Sequence, residues 1–127
     1  MPNKTVKILY VEDDFAIQKS IYDVLSAKYG VDNVFTASNG EEAFELYKNE
    51  SPDIVVTDIK MPKIDGIQLI ELIRNKDRNI PIIIVSAYER DVFDLEGKPV
   101  CQYLVKPVQK FTLLYAIETC LYGKQDK

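Results

Sequence analysis

"PDIVVTDIKMPKIDGIQLIELIRN", residues 52 to 75, decides how the chain is organised. It opens on a short run rich in β-branched residues, "DIVVTD" (53 to 58), with apolar side chains at consecutive rather than alternate positions. A strand of that pattern is buried on both faces, as in a parallel sheet covered by helices. The run stops at the acidic Asp58, and a loop containing Pro62 leads to "DGIQLIELIRN". There Ile67, Ile70 and Ile73 fall in one helical stripe. Strand, polar loop and amphipathic helix form the local unit.

The same unit recurs on either side. "VKILYV" (6 to 11), "NVFTA" (33 to 37), "IPIIIVSA" (80 to 87) and "CQYLV" (101 to 105) are further strands. Ile17, Ile21, Val24 and Leu25 follow helical spacing, and Gly30 closes that helix. "SNGE" (38 to 41) reads as a capping box ahead of "EAFELYKN", whose Ala43, Leu46 and Tyr47 share a face. "FTLLYAIETCL" carries Leu113, Leu114, Ile117, Cys120 and Leu121. Five strands alternating with helices predict an α/β fold, a doubly wound parallel sheet with helices on both faces. The fourth connection, "YERDVFDLEGKPVCQ" (88 to 102), contains Gly97 and Pro99 and leaves room for about two helical turns. The fourth helix is therefore expected to be short or irregular, and "GKQDK" at the end to be a frayed tail.

Length and composition narrow the function. A chain of 127 residues suits a single domain, 1–127, with an ordered core from about residue 5 to 122. Such a domain buries roughly two-thirds of its unfolded surface and needs no staple. The longest apolar run, Leu113 to Ile117, is far too short for a membrane span. The N-terminal stretch has no secretory pattern, so a cytoplasmic location is expected. Cys101 and Cys120 lack metal-type spacing and read as small core hydrophobes in a reducing compartment. Net charge is −4 with no basic block, which gives direct nucleic-acid binding little support. The chain has no histidine, which excludes Ser-His-Asp catalysis, histidine-ligated zinc and a phosphohistidine carrier role.

In an open α/β sheet, ligands bind beyond the carboxyl ends of the strands. Strand one ends in Glu12, Asp13 and Asp14, strand three in Asp58, strand four in Ser86, and strand five in Lys106 and Pro107. Two carboxylates about 4 Å apart repel by several kcal/mol near a protein surface, so a cluster needs an offsetting charge. A hard divalent cation supplies one, and Mg²⁺ fits best because it takes few carboxylates and keeps several waters. Cation, lysine and hydroxyl around one carboxylate also describe a phosphoryl-transfer site with Asp as nucleophile. Taken singly, each residue has a plainer reading: acids are common in polar loops, and Asp14 is a ready N-cap for the first helix. The agreement of four strand ends favours the site.

The stretches "ILYVEDDF", "TASNGEEAFEL", "PDIVVTDIKMPKIDGIQLI", "IPIIIVSA" and "YLVKP" resemble the receiver domain of bacterial two-component response regulators, over essentially the whole chain. The resemblance implies the flavodoxin-like strand order 2-1-3-4-5. It implies that Asp58 is the phosphoacceptor, taking its phosphoryl group from a sensor histidine kinase or a histidine phosphotransfer protein. Mg²⁺, with Mn²⁺ able to substitute, would be held by Asp13 and Asp58, by Glu12 through water and by the backbone carbonyl of Lys60. Lys106 would contact the phosphoryl group and join Pro107 through a cis bond. Ser86 would move toward the phosphoryl group, and Tyr103 would turn inward, passing the signal to the face formed by the fourth helix, strand five and the final helix. Lys60 and Tyr88 occupy the positions that tune loss of the phosphoryl group, Tyr88 by shielding it from water. The resemblance implies a signalling switch, monomeric or dimerising on phosphorylation, that supports its own phosphotransfer and autodephosphorylation without being a metabolic enzyme. A downstream protein or effector domain would receive the output.

"LEGKPVCQ" departs from the family, which carries a Gly-Ala pair before strand five, so an irregular fourth helix is expected. Rival readings fare worse. A haloacid-dehalogenase-like phosphatase needs a second acid two residues after its Asp nucleophile, where Lys60 stands. A flavodoxin-like cofactor binder needs a first loop of phosphate donors, where "EDDFAIQ" offers carboxylates. The remaining alternative is a receiver that binds proteins independently of phosphorylation.

Overall fold

The computed structural model describes residues 5–88, 95 and 97–123. Among them are β1 (Ile8–Val11), α1 (Phe15–Tyr29), β2 (Val34–Ala37), α2 (Gly40–Glu50), β3 (Ile54–Asp58), α3 (Gly66–Arg74), β4 (Ile82–Ser86), β5 (Gln102–Val105) and α4 (Lys110–Tyr122). Every strand lies within two residues of its expected limits. All pairings are parallel, in the order β2-β1-β3-β4-β5. The chain moves outward from β1 in one direction to β2 and in the other to β3. The ends of β1 and β3 are thus the point where the winding reverses, where open α/β sheets leave a crevice.

Two cores follow from the two-residue period of the strands. Ile8 and Tyr10 of β1 pack with Ile54, Val56, Ile83 and Val85 against Ile21 and Leu25 of α1 and Leu113 and Ile117 of α4. Leu9 and Val11 pack with Val55, Ile82 and Ile84 against Ala43 of α2 and Leu69, Ile70 and Ile73 of α3. All residues of β1, β3 and β4 are buried, which explains the consecutive apolar residues that make up most of each. Each fully buried Ile or Leu contributes roughly 1.5–3 kcal/mol relative to exposure. β5 differs. It is an edge strand, half-buried along three residues and exposed at Val105.

Gly30 ends α1 at φ 102°, a conformation that favours glycine. The expected cap of α2 is corrected by one residue: Asn39, not Ser38, is the N-cap and accepts from the Glu42 N–H at 2.8 Å. The Glu42 side chain accepts from the Ser38 N–H at 2.9 Å, so the acid of the motif is Glu42, not Glu41. Asparagine caps as well as serine, which makes neighbouring candidates hard to separate by pattern.

The reading of the cysteines is also corrected. Cys120 is buried in the core, but Cys101 is exposed, and the two form a disulfide. Their 19-residue separation carries no sign that β5 and α4 bring them together. Most of the expected short or irregular fourth helix, residues 89–94 and 96, and the tail after Gly123 lie outside the described residues. Leu95 within that connection is buried in the core beside α3.

Candidate functional site

The carboxyl end of β1 leads directly into the cluster. Glu12 and Asp58 are buried, at 2% and 7% exposure, whereas Asp13 faces solvent. One carboxylate oxygen from each of Glu12, Asp13 and Asp58 lies within 4.8 Å of the other two. Asp14 is not among them: its side chain caps α1, accepting from the Ile17 N–H at 3.1 Å. The run of three acids therefore divides into two that face the site and one that starts a helix.

What offsets the repulsion is visible atom by atom. The Lys106 Nζ, arriving from the end of β5, lies 2.7 Å from Asp58 Oδ2 and 3.0 Å from Glu12 Oε1. The Ile59 N–H donates to Asp58 Oδ1 at 2.7 Å, and the Asp14 N–H donates to Glu12 Oε2 at 3.0 Å. Charge-assisted bonds of this kind are about twice as strong as neutral ones. Even so, burial pushes the Glu12 carboxyl above its ordinary value, against the lowering by the Asp14 N–H and Lys106. Burial pulls Lys106 down, but its bonds to Asp58 and Glu12, with their charges, outweigh that and raise it. Tyr10, beneath the site, is raised by burial and then by the charges of Glu12, Asp58 and Asp14. One ammonium among three carboxylates leaves the corner negative and receptive to a further cation.

Two glycines hold the surrounding loops in close contact. A Cβ on Gly66 would come 2.1 Å from the Asp58 carbonyl oxygen, and the Gly66 N–H donates to Ile59 O at 2.8 Å. The loop after Asp58 is thereby folded back onto the strand end. Gly40 meets the Ile64 carbonyl as closely, tying the start of α2 to that loop. Sequence reasoning missed Gln18, whose side-chain amide donates to Glu12 O at 2.8 Å, Ala37 O at 3.0 Å and Ser38 Oγ at 3.3 Å. It joins the loops after β1 and β2. Two of its partners are main-chain carbonyls, which no residue pattern announces.

The remaining expected residues lie along the same edge. Ser86 is fully buried at the end of β4; its Oγ accepts from the Tyr88 N–H at 3.3 Å. In register, Val85 stands beside Asp58, and Ser86 beside Val105. Tyr103 is half-buried against the core on the α2 and α3 side, and its hydroxyl donates to Tyr88 O at 2.7 Å. The Tyr88 residue is 50% exposed. Lys60 is exposed two residues beyond Asp58. The Lys106–Pro107 bond is cis, as the resemblance implied.

The donor set suits a hard cation: three carboxylates, no thiolate and no imidazole. Its spacing allows all three oxygens to approach one ion with small adjustments. Taken together, the doubly wound parallel sheet carries an acidic cluster and a lysine at its switch point, the place where open α/β sheets bind ligands.

The comparisons give the family. The response regulator receiver domain matches residues 8–118, and the chain belongs to that family. It is 38% identical over 117 residues to the chemotaxis protein CheY of Bacillus subtilis (strain 168), covering 91% of this chain and 97% of that one. It is 35% identical over 127 residues to the probable C4-dicarboxylate response regulator DctR of the same organism, covering 98% of this chain but only 56% of the relative. A CheY-like receiver domain protein from Methanospirillum hungatei JF-1 superposes with a TM-score of 0.86 at 26% identity, over 97% of this chain and 98% of that one. The CheX-CheY-BeF3-Mg complex from Borrelia burgdorferi gives 0.79 at 33% identity, over 90% of this chain and 87% of that one. Receiver domains are signalling modules rather than metabolic enzymes; they accept phosphoryl groups from histidine kinases and act on downstream effectors.

Proposed function

We propose that this chain is a phosphorylation-dependent switch whose acceptor is Asp58. The observation that supports it most is the convergence of Lys106 on Asp58 and Glu12, at 2.7 and 3.0 Å, beside a three-carboxylate cluster. An Asp58 oxygen attacks the phosphorus of a phosphohistidine on a sensor kinase or histidine phosphotransfer protein. A P–O bond forms, the P–N bond breaks, and its electron pair stays on the departing imidazole. Asp13 and Asp58, Glu12 through a water, and the Lys60 carbonyl would hold Mg²⁺. When bound, the ion neutralises phosphoryl oxygens and screens the carboxylates from the incoming group.

Lys106, released from Asp58 as that oxygen becomes phosphorylated, keeps its contact with Glu12 and turns to a phosphoryl oxygen. Ser86 exchanges its bond with Tyr88 for one to another phosphoryl oxygen. That shift draws on the Tyr88 segment, which Tyr103 also holds, so the change reaches β5 and the face it shares with α4. The half-exposed Tyr88 ring shields the acyl phosphate from water, and Lys60 flanks it. The partners are a histidine kinase or phosphotransfer protein upstream and a protein or effector domain downstream, in the cytoplasm.

Incubation with acetyl phosphate, with and without Mg²⁺, followed by intact mass measurement, tests the reading. One phosphoryl group is expected, dependent on Mg²⁺ and absent from Asp58→Asn. Absence of both adduct and released phosphate from the unaltered chain would sink it in favour of a phosphorylation-independent binding module.

A further inference from the structure

Cys101 and Cys120 stand outside the acidic site, at the opposite end of β5 and α4. Cys101 lies immediately before β5, is exposed, and donates its N–H to Ile82 O at 2.7 Å. Cys120 is 2% exposed, on α4, in the cluster that includes Ile117 and Leu113. The Cα atoms are 6.1 Å apart, inside the ordinary range for a bridge. One partner is thus on the solvent side and the other is sealed in the core.

The bridge falls at one margin of the sheet. β5 is one of the two edge strands, paired to β4 alone. The segment entering it is held toward α3 by the Arg74 guanidinium, which donates to Pro99 O at 2.9 and 3.3 Å. An ion pair between Lys98 and Glu71 at 3.4 Å adds a contact on that side, screened by solvent. Toward α4, the covalent tie is the disulfide. The strand it anchors carries Tyr103, bonded to Tyr88, and ends beside Lys106.

We propose that Cys101 and Cys120 are a thiol–disulfide modification site that clamps β5 to α4 when oxidised and frees the start of β5 when reduced. The inference rests on the cytoplasmic setting proposed above, where thiols are normally kept reduced and a disulfide is characteristically transient. The oxidant class is a small disulfide, such as oxidised glutathione. The Cys101 thiolate attacks one of its sulfurs, forming a mixed disulfide and releasing one glutathione thiolate. The Cys120 thiolate then attacks Cys101 Sγ, closing the bridge and releasing the second. Two protein thiols are oxidised, one glutathione disulfide is reduced, and the two thiol protons pass to the two leaving thiolates. Exposure makes Cys101 the first to react in either direction.

The test equilibrates the full chain across ratios of reduced to oxidised glutathione, quenches in acid, and counts N-ethylmaleimide-labelled thiols by mass. A single transition from zero to two labels is expected as the ratio rises. Amide hydrogen exchange over Gln102–Val105 should be about tenfold faster in the reduced form. Cys101→Ser should exchange like the reduced chain in every buffer, and Cys120→Ala provides a second variant with a helix-compatible side chain. Two labels at the most oxidising ratio, no labels at the most reducing one, or equal exchange in both states would each overturn the proposal. Thiol counting does not depend on phosphoryl uptake, so the failure of either reading leaves the other measurable.

Discussion

The two sides of the sheet are secured in different ways. On the side of β2, β1 and β3, the central strands are wholly buried and the loops above them are fixed by backbone contact, with Gly40 and Gly66 leaving no room for a Cβ. On the β5 side, an edge strand with partly exposed residues depends on discrete links: Arg74 to Pro99, Tyr103 to Tyr88, Lys106 to the acids, and the disulfide. Close packing has one solution and resists deformation. Discrete bonds can be exchanged one at a time. The switch proposed for this chain would use both: a rigid corner that holds Asp58, and a neighbouring strand whose few bonds can be exchanged.

Substitutions that strike each side equally should separate them. Leu9→Ala, in the centre of the sheet at 0% exposure, should cost about 2–5 kcal/mol in urea unfolding, and Leu104→Ala on half-buried β5 only about 1 kcal/mol. Equal losses would erase the distinction. Gly66→Ala should cost about 3 kcal/mol, since backbone must move to admit the methyl group. Gly97→Ala, with φ of 77° and open space around it, should cost about 1 kcal/mol from conformation alone.

Lys106→Met probes the joint between the two sides. It leaves Glu12 and Asp58 buried without their ammonium, so stability in chelator should fall by about 2 kcal/mol. Mg²⁺ should recover more stability in this variant than in the unaltered chain, measured by the shift in urea midpoint. A shift no larger than that of the unaltered chain would place the ion elsewhere. An effect as small as those of Leu104→Ala and Gly97→Ala belongs to Tyr103→Phe, which removes one hydrogen bond to Tyr88 O and should cost about 1 kcal/mol. Its signature is faster amide exchange at Tyr103 with β1 unchanged; a change in β1 would mean that the edge is coupled to the core more tightly than its packing suggests.

Much of this was legible in the residues. The apolar runs located five strands to within two residues, and the acids ending the first and third strands foretold the carboxylate cluster, although Asp14 caps α1 instead of joining it. β5 was harder to read: "CQYLV" looks as strand-like as the others, but its place at the edge leaves it only half-buried. The cap of α2 slipped by a residue because Ser38 and Asn39 can both perform that task. Gln18 escaped notice because its contacts are chiefly to main-chain atoms.

Periodicity and residue chemistry are local properties, written in the order of the amino acids, and they sufficed for the strands, helices and inventory of the acidic corner. Juxtaposition is not local. Folding brought Lys106 within 3.0 Å of Glu12 across 94 positions, turned Asp14 away from its acidic neighbours, and joined an exposed Cys101 to a buried Cys120. Those relations depend on strand order and on the helix covering each face, and the same short segments in another order would have made none of them.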